Sequence, residues 1–215
     1  MKLILANNQS KKFSDFYNEL RSQSDVPFDY AGYKSLLFVF DVDAAKPVDG
    51  YSIQNGKSLA DYDGVYINGY LQTYELAASV AIACDSLGLG YSNKEFSNPP
   101  SLSKLSMYAR LAAGGVRLPR SLGGTKFAMQ QAQSHLESFN YPAVLKRADA
   151  DRGIDNYKVA DFEEALKLLA SQDEMSIWIL QEYVENEGFY LVSFYDEKPV
   201  FSIYRSLQAR PDNNQ

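Results

Sequence analysis

A lysine at the end of an apolar strand, followed by a short polar loop and a returning strand, is an arrangement that can hold phosphate. The segment YPAVLKRADADRGIDNYKV has that order. Lys146 closes the apolar run, so its charge projects where the strand leaves the core, and a lysine there acts on phosphate as a compact point charge. The loop through Gly153 can close over such a ligand. Further on, IWILQEYV offers a second kind of contact. A strand leaving the core presents alternating backbone donors and acceptors to a planar base, with apolar side chains enclosing the faces of the ring. Gln181, Glu182, Tyr183 and Val184 form that candidate hinge, and Arg205, near the end of PVFSIYR, is a further cation able to reach phosphate or substrate. Asp149 and Asp151 work against an anion. For unit charges about 7 Å apart at an effective dielectric near 20, each repels a phosphate charge by roughly 2 kcal/mol before screening. Arg147 and Arg152 offset this if they face inward.

The elements that position these residues are legible from periodicity. KLILAN reads as a buried strand, and Phe13, Phe16, Tyr17 and Leu20 in the next segment have helical spacing. Strands follow at 36–42 (LLFVFDV) and 64–70 (GVYINGY), then a helix from about Thr73 to Leu87 with Gly88 as its stop. Strands separated by helices favour a parallel or mixed sheet. SNPP at 97–100 disfavours helix and marks a boundary near residue 100. Beyond it, Leu105, Tyr108, Ala109 and Ala112 define a helix ended by Gly114-Gly115, and a further helix spans 125–138. The glycines of AAGGVRLPRSLGG read as turns. Asp161 caps another helix with Glu164 three residues on, and three strand candidates close the sequence, the last two joined by a turn at 196–198.

Taken in order, KLSMYARLAAGGVRLPRS, the Lys146 strand and loop, the capped helix and QEYV resemble the ATP-grasp superfamily, in particular ligases similar to ribosomal-protein glutamate ligases and glutathione synthetases. The resemblance covers about residues 101–205. It implies an α/β chain with a Rossmann-like pre-ATP-grasp domain over 1–100 and a partial α+β ATP-grasp domain over 101–215. By the same comparison Lys104 takes the lysine position that opens the family's helix, Lys146 the phosphate-contacting strand lysine, and Gln181–Val184 the adenine hinge. The implied cofactors are ATP and Mg2+, and the implied chemistry is phosphorylation of a small-molecule or peptide carboxylate to an acylphosphate that an amine attacks. Phe189 and Leu191 stand where the family carries an Asp-x-Arg pair. Its acidic and asparagine metal ligands come from a later half, so no metal ligand or catalytic residue is assigned. A noncatalytic nucleotide-binding or regulatory protein that keeps the hinge is the alternative.

Composition narrows the rest. The 215 residues are 46% hydrophobic and 22% charged, enough apolar surface to fold. A net charge of -6 argues against broad nucleic-acid binding. No apolar run approaches the roughly 20 residues of a membrane span, and no signal-peptide pattern opens the chain, so a soluble cytoplasmic protein is expected. Cys84, the lone cysteine, reads as a buried structural thiol, and His135, the lone histidine, as a surface residue. Oligomeric state is not readable from these features.

Overall fold

The computed structural model describes residues 1–6, 11–69, 73–97, 103–150, 155–195 and 198–206. The chain divides into two units, 1–183 and 184–215. In chain order the first carries β1 (Lys2–Ala6), α1 (Lys11–Gln23), β2 (Phe28–Gly32), β3 (Leu36–Phe40), β4 (Val48–Ser52), β5 (Lys57–Ser58), β6 (Gly64–Tyr66), α2 (Tyr74–Ser86), α3 (Lys104–Ala113), β7 (Ser121–Thr125), α4 (Lys126–Gln131), α5 (Gln133–Glu137), β8 (Ala143–Arg147), β9 (Asn156–Val159), α6 (Phe162–Ala170) and β10 (Ile177–Glu182). The second holds one antiparallel pair, β11 (Gly188–Tyr195) and β12 (Lys198–Ser206).

A chain that returns through a helix before its next strand pairs in parallel. That is the case for β1 and β2, joined by α1 in the small sheet β2-β1-β6, whereas β6 reaches its parallel place beside β1 after the chain has passed through β3, β4 and β5. The larger sheet has the order β5-β4-β3-β7-β10-β8-β9 and is antiparallel throughout. Strands 36–58 thus share hydrogen bonds with strands 121–182, and the pairing of β3 with β7 bridges residue 100.

Alternation along β10 separates the two cores. Trp178 and Leu180 pack with Met129, Leu136, Leu145, Ala165 and Leu169 on one face. Ile179 packs on the other with Phe40, Leu105, Tyr108, Ala109 and the buried residues of α2. The helical periodicity at 105–112 is realised, with Leu105, Tyr108, Ala109 and Ala112 all buried in α3. Gly88 and Gly115 take φ of +66° and +71° after their helices, the left-handed conformation that suits glycine. Asp161 caps α6 by accepting from Glu164 N at 2.9 Å, whereas the Glu164 carboxylate reaches past the cap to Ala160 N at 2.8 Å.

Four expectations change. Gly123 and Gly124 lie in the strand β7, not in a turn, and both are buried. A Cβ on Gly123 would meet Leu105 Cδ1 at 2.6 Å and one on Gly124 the Leu36 carbonyl oxygen at 2.8 Å, so close approach of neighbours selects glycine there. The helix over 125–138 breaks at Ala132, whose ψ of 40° leaves the helical range. The strand from Gly64 ends at Tyr66. His135 is half-buried, edge-on to Tyr51 at 5.3 Å; burial first, then Arg120, holds its pKa below the usual histidine value. Cys84 is buried as expected, and burial followed by the Asp85 charge pushes its thiol up to about 12. Gly153, Asp151, Arg152, Pro99, Pro100, Asp196 and Glu197 lie outside the described residues.

Candidate functional site

The candidate site grows from the face of the larger sheet on which α3 packs. In β8 the side chains alternate, so Ala143 and Leu145 enter one core while Lys146 points to the α3 side. There its ammonium donates to Tyr108 Oη at 2.6 Å and to Gln181 Oε1 at 2.5 Å, and stands 5.0 Å from the centre of the Tyr108 ring. Lys104 sits one turn before Tyr108 on α3. Its backbone N–H donates to Ala148 O at 3.2 Å, and its ammonium donates to the carbonyls of Arg147, Ala148 and Ala150. The helix start is thereby fastened to the end of β8. Neither lysine forms an ion pair among the described residues. Among the described residues these two half-buried ammonium groups are held by neutral oxygens, a donor set that suits an anionic ligand.

The sequence-predicted residues are brought together in part. Lys104, Lys146 and Gln181 converge through Tyr108. Glu182 faces the other side of β10, where its Oε1 accepts from Asn140 Nδ2 at 2.6 Å. Its backbone N–H donates to Arg120 O, and that of Tyr183 to Pro142 O, so both hinge donors are already used. Tyr183 is 40% exposed, and the Lys158 ammonium lies 3.7 Å from its ring centre. Lys158 pairs across the sheet with Val144, which in turn opposes Gln181, so it shares the face of Lys146. Val184 opens the second unit, and Arg205 stands opposite Phe189 within the β11–β12 pair.

Tyr108 and Lys158 are the contributors that the sequence reading did not assign to the site. Tyr108 reads as core because it has the helical spacing of Leu105 and Ala112; its position four residues after Lys104 is the signal that it shares the lysine's face. Of the loop carboxylates, Asp149 accepts from Arg147 Nε at 2.7 Å, and Asp155 lies 3.7 Å from Arg147 Nη1. The hydrogen bond and charge of Asp149, with smaller contributions from Asp155 and Asp173, hold the Arg147 pKa above the ordinary arginine value. That pairing neutralises Asp149 locally. A cleft of about 480 Å3 adjoins it, lined by Glu75, Ser103, Arg147, Asp149, Asp173 and Ser176 among others, but not by Lys146 or Gln181. With more carboxylates than cations on its wall, that cleft is the poorer host for polyphosphate.

No family model and no curated protein matches the chain. Solved structures do. The chain's likeness to the ATP-grasp RimK domain protein from Sphaerobacter thermophilus has a TM-score of 0.36 and 14% identity, over 89% of this chain and 68% of that one. D-alanyl-alanine synthetase A from Vibrio cholerae follows at TM-score 0.35 and 15% identity, over 92% of this chain and 63% of its own length. A D-alanine–D-alanine ligase from Bacillus anthracis, complexed with ATP, has TM-score 0.36 and 19% identity, over 94% and 64%. The chain thus spans less than two thirds of the synthetase. At these TM-scores the roles of Lys104, Lys146 and Gln181 rest on their own contacts.

Among the described residues no group of three or more His, Cys, Asp or Glu side chains is arranged to hold a metal ion, and no helix is long and apolar enough to cross a membrane.

Proposed function

We propose that the chain binds ATP through its larger antiparallel sheet, as an ATP-grasp carboxylate–amine ligase or a part of one. The observation that carries this reading is the pair Lys104 and Lys146, whose ammonium groups find neutral oxygens and no carboxylate among the described residues. Polyphosphate fits that donor set. Lys146 would hold one phosphate, displacing or sharing its contact with Gln181, while Lys104 keeps the end of β8 next to it. Tyr108 fixes the Lys146 ammonium between helix and sheet. The hinge Gln181–Val184 supports the base through carbonyls and apolar cover, its two N–H groups at Glu182 and Tyr183 being engaged.

Bound ATP would supply the phosphoryl group that activates a carboxylate of a small molecule or peptide for attack by an amine. Gly153 and Arg205 belong to the same reading, as loop and outlying cation. So do a division of the chain near residue 100 and a cytoplasmic location. Mg2+ accompanies ATP in this chemistry; the described residues hold no group of three or more His, Cys, Asp or Glu side chains placed for a metal ion, and no step is routed through one.

Calorimetric titration with Mg-ATP tests the site. Lys146→Ala is expected to weaken binding at least about tenfold, the loss of one charge-assisted hydrogen bond. Unchanged affinity would remove Lys146 from the pocket. The alternative, a noncatalytic nucleotide-binding or regulatory protein, is separated by turnover. ADP release dependent on an amino acid or peptide favours the ligase, and binding without release across such a panel favours the alternative.

A further inference from the structure

The helix α1 has thirteen residues and none of them is buried. It meets the small sheet through a few side chains. Tyr17 stacks on Tyr30 at 5.1 Å, Ser14 Oγ and Tyr30 Oη are 2.8 Å apart, and the Arg21 guanidinium lies over Phe28 and Tyr30. A helix this short is marginal in water unless an apolar face is packed. The apolar face of α1 is instead turned outward, with Phe13, Phe16 and Leu20 exposed to 41%, 55% and 37%. Their i, i+3, i+7 spacing makes one continuous stripe, the seam by which a helix recognises another helix.

The flank of this stripe favours a particular occupant. Lys12 and Glu19, both exposed, are seven residues apart and border the stripe on the same side. Neither forms an ion pair among the described residues, and one Glu19 oxygen accepts from Gln23 Nε2 at 3.3 Å. In an antiparallel pair related by a two-fold axis near Phe16, each Lys12 falls opposite the Glu19 of the other copy, because like flanks face each other across such an axis. The flank is therefore complementary to itself in charge, alongside an apolar stripe.

We infer that α1 is a self-association surface on which a second copy of this chain packs its own α1 antiparallel, Phe16 against Phe16, with two reciprocal Lys12–Glu19 ion pairs. The stripe is well below the roughly 800 Å2 per partner of a stable interface, so the association is weak and reversible.

Sedimentation velocity on the full chain, at concentrations from about 1 to 500 µM, reads this directly over the range of weak complexes. The parent is expected to shift from monomer towards dimer as concentration rises. Lys12→Glu or Glu19→Lys alone places two like-charge contacts in the dimer and is expected to weaken it about tenfold. The double variant Lys12→Glu/Glu19→Lys restores the pairs with their signs exchanged and is expected to return association to the parent range. Phe16→Asp abolishes it while circular dichroism stays unchanged, since Phe16 contributes nothing to the buried core. A parent that stays monomeric throughout overturns the inference. So does a dimer that survives Phe16→Asp, or a double variant no better than the singles.

Discussion

Asp49 shows how a single buried group sets a pH dependence. It is 6% exposed, lies in β4, accepts from Gly50 N at 2.8 Å, and has the Ser58 hydroxyl within 2.8 Å of both its oxygens. Burial pushes its pKa up and outweighs the bonds from Ser58 and Gly50 that pull it down. A folded-state pKa above the unfolded one means the native state binds the proton more tightly. The stability this confers is complete below the unfolded value, about 3.9, and is lost as pH rises through the raised folded value. Asp49→Asn keeps a group that can accept from Gly50 and removes the buried charge. Relative to the parent, its urea midpoint should rise more at pH 8 than at pH 4; an equal change at both values would show that Asp49 ionisation carries no such cost. Under the proposed reading the same weighing of charge against partners singles out Lys146, whose oxygen partners among the described residues are neutral. It passes over Asp149, since Arg147 already answers it.

At the scale of elements, β7 is the strand that decides whether the larger sheet forms. It lies between β3 and β10, and its two glycines let both neighbours approach. Gly124→Ala drives a methyl against a backbone oxygen that cannot move without breaking the β3–β7 ladder, and overpacking of this kind costs about 1–3 kcal/mol. Gly123→Ala meets side chains only, the tip of Leu105 at 2.6 Å and the edge of the Phe40 ring at 3.2 Å, and these can shift where a ladder carbonyl cannot. Urea unfolding should therefore rank Gly124→Ala as the more destabilising, and the reverse order would mean that β3 yields more readily than Leu105. This strand is also where sequence reading is weakest. SLGGT has neither alternation nor β-branched residues beyond Thr125, and its glycines carry the signature of a turn, so only its neighbours reveal it as a strand. Helices α2, α3 and α6 are legible because their apolar spacing, glycine stops and cap are local. For the site, the strand lysine and Gln181 are legible from chain order, but the Tyr108 hydroxyl that joins α3 to them is not, since a tyrosine at a core position gives no sign of where its hydroxyl points.

Across the first unit, chain order and physical coupling run differently. Reading along the sequence separates a lobe near residue 100, but the core that contains Leu3 and Leu5 of β1 also contains Phe38 and Phe40 of β3, Leu105 of α3 and Ile179 of β10. The helix α2 is buried without a break from Leu76 to Cys84, so its residues serve that core on every side. A helix hydrophobic all round has no independent surface to fall back on. Damage to it should be felt on both sides of residue 100. Leu76→Ala, a fully buried truncation, is expected to cost about 2–5 kcal/mol. If residues 1–183 open as one cooperative unit, native-state hydrogen exchange will show the loss in equal measure at the amides of Leu5, Leu122 and Ile179. Loss confined to Leu5, with Leu122 and Ile179 still protected as in the parent, would instead show that the small parallel sheet opens by itself. The shared core would then be a contact between two separately stable parts, and Lys104 and Lys146 would keep their places without it.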